Sequence, residues 1–379
     1  LDAEPDEANY LWVVTRDQAQ WVSWEIPGGF WDLVDGLRGV VELQPNTAGQ
    51  LVLKPFNEGK RNDAWKVYRD TLGRLEDLIA DKPDLVFVLS GPLSTIPPSM
   101  LITQKPVSGE QPSYLIDRHN ITIMPSVTSL KILRTNDTIA QAVNPLVGFA
   151  DPQYDPTGEW ENTSGDGEGG SRTLRTTRDL YENGKMDLEK LWSVDRLPDT
   201  ADEIQAVRAI LEGSEDDIYL GPAATETQIK QLSDLHDFDV VYLATHGLLA
   251  SESQKELGFN PEPGLLMAGP EEATELDDGL LTASEAALLD LNANWVVLSA
   301  CNTAGGDGRG EALSGLARAF FYAGAQSLVV SHWAVDSKAT VPLMVEMFEA
   351  YSEGSSELSG AEALRQSMLA MKAQEEYRH

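Results

Sequence analysis

Two nearly unbroken apolar runs, VVYLATH at 240–246 and WVVLSAC at 295–301, constrain the fold more than any other feature of this chain. A strand with one solvated face alternates polar and apolar residues, so a run apolar on both parities needs cover on both faces. SLVVSHW at 327–333 is a third run of the same kind. Between and around these runs lie segments of helical character at 200–211, 225–234 (with Thr225 placed as N-cap), 311–323 (ending at Gly324) and about 361–376. DIYL at 217–220 adds a shorter strand. Strand alternating with helix predicts an α/β fold, a mostly parallel sheet flanked by helices.

The first half is less regular. YLWVVT at 10–15 and WVSWEI at 21–26 read as a strand pair. Residues 60–81 carry Trp65, Val67, Tyr68, Leu72, Leu75 and Leu78 at helical spacing, and the Lys82–Pro83 step stops that helix. LVFVL at 85–89 reads as a buried strand, residues 126–134 as a short helix, and VGFA at 147–150 as the strand that closes this half. Residues 151–199 then change character: Gly, Asp, Ser and Pro dominate, and Arg172, Arg175 and Arg178 stand out in acidic surroundings. A solvated linker and a cleavable activation loop both fit that stretch. The expected organisation is 1–150, a linker at 151–199, and 200–379; at ~150 residues per domain the 379 residues suit two domains.

Charge narrows the partners. With 28 Lys+Arg against 61 Asp+Glu the formal net charge is −33. Such a field repels nucleic-acid phosphates and anionic lipid, and suits solubility or a basic protein partner. No apolar run approaches the ~18 residues that span a bilayer. A single cysteine, Cys301, excludes an internal disulfide or a multi-cysteine metal site, and no cofactor is expected. The opening LDAEPDEANY has neither Met nor a signal pattern, so the expectation is a soluble cytoplasmic protein and a piece of a longer chain.

In a parallel sheet, reactive groups collect at the carboxyl edge of the strands. Here one strand runs into His246 and Gly247, and another into Cys301. A thiol of pKa about 8.5 is mostly protonated at neutral pH, and a nearby imidazole raises its thiolate fraction. The N–H groups of Gly247 and Cys301 are placed to stabilise an oxyanion. The plainer reading, a buried small residue and a hydrogen-bonded structural histidine, stays open on these residues alone. GGDGRGEALSG at 305–315 has Glu311 where a phosphate loop needs Lys. Glu271, Glu272, Asp277 and Asp278 read as a solvated loop, with weak calcium binding as the alternative.

The segments ATHG (244–247), LDDGLLTASE (276–285), VVLSACNT (296–303), GEALSGLARAFFYAGAQSLVVSHWAVDS (310–337) and EALRQSM (362–368) resemble the CHAT domain. VFVLSGPLSTIPPSML (86–101), YLIDRHNITIMPSVTSL (114–130) and LVGFADP (146–152) resemble its amino-terminal part. The resemblance implies a caspase-like fold related to caspases and separases, with an inactive amino-terminal subdomain (which holds His119 and no cysteine) and an active carboxyl-terminal one. It implies a cysteine endopeptidase with His246 as base or ion-pair partner, Cys301 as nucleophile, and Gly247 with Cys301 as oxyanion donors. Ser299, Trp333 and Asp336 would line the pocket for the residue before the cut, with basic and small or apolar preferences both open. The chain departs from the family's pattern at His332, Asn302 and Ser337. Implied partners are a protein or peptide substrate and a sensor or tetratricopeptide-type module, in a latent enzyme of prokaryotic defence or CRISPR-linked systems. A catalytically silent scaffold is the alternative, and self-cleavage near 172–178 a variant of the first.

Overall fold

The computed structural model describes residues 9–41, 44–45, 51–52, 55–124, 126–127, 142–161, 180–182, 185–248, 262–300, 315–331, 337–353 and 359–374. Two compact units emerge. The first comprises the described residues up to Phe87 and Ile96–Thr122, the second Val88–Thr95 and the described residues from Ile123 onward.

In the first unit, Asn9–Val14 and Ala19–Trp24 form the expected antiparallel pair, with Trp12 opposite Trp21. The helix expected over 60–81 is broken. It runs Glu58–Asp70, capped by Asn57, and gives way to a 3-10 turn Leu72–Leu75 and a short helix Glu76–Ile79. The break falls where the Thr71 hydroxyl donates back to the Val67 carbonyl at 2.6 Å, a local bond that competes with the helical ladder. The strand at Asp84–Phe87 corrects the expectation of a strand buried on both faces. Among the described residues it pairs with Asn120–Ile123 alone, and its residues alternate between exposed and half-buried. Residues 128–134 of the short helix expected at 126–134 lie outside the described residues.

The second unit is built on a five-stranded sheet in the order Ile218–Gly221, Asn144–Pro152, Phe238–Ala244, Trp295–Ser299, Ser327–Val330. Every neighbouring pair is parallel. Counted along the chain this is order 2-1-3-4-5, whose switch point lies between Asn144–Pro152 and Phe238–Ala244; ligands of such sheets bind outside the carboxyl ends at that point. The strand expected to close the first half is therefore an inner strand of the second unit.

Both faces are covered, as the apolar runs demand. On one face Val147, Phe149, Val241, Leu243, Val296 and Leu298 pack with the helix Gly315–Ala323. On the other, Leu146, Val240, Tyr242 and Val297 pack with the helices Asp199–Ile210, Ser337–Glu353 and Gly360–Ala373. Gly148 is what lets Asp199–Ile210 approach so closely, since a Cβ there would lie 2.0 Å from the Ile204 Cδ1. Gly324 ends its helix at φ +115 against the Leu291 carbonyl. Ser337–Glu353 has no counterpart in the sequence reading, and the Pro342 inside it interrupts the helical pattern.

The described parts of 151–199 are not a solvated linker. Tyr154, Leu180, Leu191 and Val194 are buried with Leu248, Leu266 and Leu280, so apolar residues scattered through a Gly-rich stretch build a small core of their own. Arg172, Arg175 and Arg178 lie outside the described residues. Among the described residues no helix is long and apolar enough to cross a membrane.

Candidate active site

The strand Phe238–Ala244 pairs in parallel with Trp295–Ser299, with Ala244 beside Ser299. His246 and Cys301 each stand two residues beyond that pair, so the register brings both chains out of the sheet at the same level. Neighbouring strands are about 4.8 Å apart. Cys301 itself lies outside the described residues, as do Trp333 and Asp336. Ser299 is buried at the end of its strand, and Ala300, next to it, is fully buried. The Ala300 carbonyl accepts a 2.5 Å hydrogen bond from the Ser331 hydroxyl, which ties down the peptide leading into Cys301.

The main chain around His246 is fixed from two sides. The Thr245 hydroxyl donates to the Leu266 carbonyl at 2.6 Å, so it accepts from the Tyr154 hydroxyl, 2.9 Å away. The Leu266 N–H in turn donates to the His246 carbonyl at 2.9 Å. These bonds start a small antiparallel sheet, Gly247–Leu248, Gly264–Leu266 and Leu280–Thr282, in which Gly247 lies opposite Leu265. With the Leu266-to-His246 bond flanking it, the Gly247–Leu265 pair is of the non-hydrogen-bonded kind, and the Gly247 N–H points away from its partner strand. An amide so directed is free of the ladder, as an oxyanion donor must be.

The imidazole is 7% exposed. Its Nε2 lies 3.0 Å from the main-chain carbonyl of Asp195, and its ring is tilted beside that of Tyr154 with centroids 5.9 Å apart. A carbonyl oxygen only accepts, so Nε2 carries a proton. The Asp195 carbonyl thus anchors the ring through Nε2. Asp195, Tyr154, Thr245 and Ser331 were not legible as site residues. A main-chain carbonyl has no side-chain signature, and the other three are ordinary core polar residues until the contacts are seen.

The acidic motif at 276–285 does other work. Glu271 and Glu272 are exposed, whereas Asp277 accepts from the Thr227 hydroxyl at 2.8 Å and Asp278 from the Leu280 N–H at 3.1 Å. Beside them Glu226, 1% exposed, accepts from the Asp278 and Gly279 amides and bonds Lys230, which also reaches Glu285 at 2.7 Å. Burial, reinforced by Glu285 and opposed by Lys230, pushes the Glu226 carboxyl up to about 8. The network staples LDDGLLTASE to the helix Glu226–Gln231.

The family model for the CHAT domain matches residues 63–379, which covers the whole second unit. No curated protein matches the chain.

Proposed function

Because the chain belongs to the CHAT-domain family, a family related to caspase-like cysteine peptidases, we propose that it is a cysteine endopeptidase acting through His246 and Cys301. The observation that carries this reading is the Asp195 carbonyl at 3.0 Å from Nε2 of a histidine at the sheet edge, two register positions past Ala244–Ser299. In this mechanism Nδ1 of His246 takes the thiol proton of Cys301 while Nε2–H stays on Asp195. The thiolate attacks the scissile carbonyl, and the N–H groups of Gly247 and Cys301 receive the oxyanion. The imidazolium returns its proton to the leaving amine, a thioester remains on Cys301, and water hydrolyses it with His246 again as base.

Ser299, Trp333 and Asp336 are proposed to shape the pocket for the residue before the cut. Latency released by a sensor or tetratricopeptide-type module, a role in prokaryotic defence, and self-processing near Arg172, Arg175 and Arg178 complete the proposal, carried over from the resemblance. The test incubates wild type and Cys301→Ala with a degenerate peptide library and reads cut sites by mass spectrometry. Cuts made by wild type alone support the reading, and those after Arg or Lys, or after small or apolar residues, identify the pocket. Preferred cleavage after Asp rejects both pocket options. Equal cutting by both proteins, or Cys301 unlabelled by electrophilic peptide probes with and without sensor modules, rejects the enzyme.

A further inference from the structure

We infer that Asp151 and Arg196 are a positioning pair for His246: together they hold the peptide whose carbonyl, that of Asp195, sets the tautomer and tilt of the imidazole. The catalytic consequence rests on the peptidase reading above; the geometry does not.

Asp151 stands at the carboxyl end of Asn144–Pro152, one residue past the pair Ala150–Ala244, on the other side of the switch point from His246. It is 1% exposed and sits at φ +45, a left-handed conformation that Asp and Asn adopt more readily than other side-chain-bearing residues. Its carboxylate receives the Arg196 fork, Nε at 3.2 Å and Nη2 at the second oxygen. Trp160 Nε1 donates to the same carboxylate at 3.3 Å, the Leu197 N–H joins it, and the guanidinium lies 5.6 Å over the Trp160 ring. The Asp151 N–H donates to the Thr200 hydroxyl at 2.8 Å, which donates to the Leu197 carbonyl at 2.7 Å. Residues 196, 197 and 200 are thus all tied to Asp151, directly or through one atom. The Asp195 carbonyl, bonded to His246, belongs to the peptide that enters this clamp.

Stability does not account for such an arrangement. A buried ion pair gives little or nothing over an apolar substitute once desolvation is counted. Burial pushes the Asp151 carboxyl above its ordinary range even against Arg196. What the pair supplies is a fixed direction for one carbonyl.

The experiment uses the full chain labelled with 15N-histidine and Cys301 alkylation by iodoacetamide, which reads a single thiol because the chain has no other cysteine. His246 is assigned by the resonance lost in His246→Gln. Wild type is expected to show His246 as the Nε2–H form. In Asp151→Asn, His246 is expected to become a mixture of tautomers while His119 keeps its signals, and alkylation at neutral pH to slow by at least about tenfold. Asn keeps the shape and tolerates the left-handed backbone. Arg196→Lys, which retains charge but loses the fork, is the second variant; it is expected to shift the same His246 signals. Retention of a pure Nε2–H form in either folded variant, or its absence from wild type, overturns the inference. If wild-type Cys301 alkylates like a free thiol and His246→Gln leaves it unchanged, the peptidase reading fails instead, and the tautomer measurement still decides the pair.

Discussion

In the first unit His119 places Nδ1 2.6 Å from the Lys82 carbonyl; in the second, His246 places Nε2 3.0 Å from the Asp195 carbonyl. Both rings are held by main chain, and the same rule about carbonyls assigns them opposite tautomers. His119 is fully buried, and its Nε2 has no partner among the described residues. His246 instead stands at the carboxyl edge of a parallel sheet, level with the residue where the cysteine strand ends. The contrast is one of place: one anchored ring is enclosed in its unit, and the other stands at a sheet edge, where the proposed reaction needs it. Anchoring alone makes a structural residue.

Replacing His246 breaks the comparison most sharply. His246→Gln is expected to slow wild-type peptide cleavage by about 10²- to 10⁴-fold, and to return the alkylation profile of Cys301 to that of an ordinary thiol, with the fold intact by circular dichroism. A smaller effect belongs to Glu226. Its folded pKa of about 8 lies above its unfolded value, so its contribution to stability is complete below about pH 4.5 and is lost as pH rises towards 8. Denaturant titrations from pH 5 to 8 should show the second unit weakening by at most about 1.4 kcal/mol per pH unit from this group. Glu226→Gln should flatten that slope, and an unchanged slope would deny the assignment. His119→Ala is expected to cost ~1–3 kcal/mol of stability, through the stranded Lys82 carbonyl, while Cys301 alkylates at the wild-type rate. A slowed thiol there would erase the distinction between the two histidines. Smallest is Tyr154→Phe, which removes one hydroxyl from Thr245; about 1 kcal/mol in thermal unfolding is the expected loss.

The strands Phe238–Ala244 and Trp295–Ser299 were legible because burial on both faces leaves a continuous apolar mark, and the candidate residues follow where those marks stop. Strand neighbours leave no such mark. VGFA at 147–150 reads as a strand, but nothing in its residues says that it pairs with both 218–221 and 238–244. The Leu85-to-Leu89 run misled for the converse reason, since an apolar run on a two-stranded ladder is left half open. The candidate histidine could be named from sequence, whereas its anchor could not, because the Asp195 carbonyl acts through a bond to a residue 51 positions away. Asp151 lies in the motif LVGFADP, yet its partner Arg196 is 45 positions on, and only the fold brings them together.

The 2-1-3-4-5 order also bears on time. The strand Phe238–Ala244, which leads into His246, is pinned on one side by a strand made much earlier and on the other by one made later, and parallel neighbours of this kind close long loops before any contact rewards them. During synthesis, a chain that has emerged as far as its histidine has no cysteine to pair with it. The thiol arrives only with the fourth strand of the sheet. In the proposed mechanism, therefore, the reactive pair exists only once the fourth strand has joined the sheet.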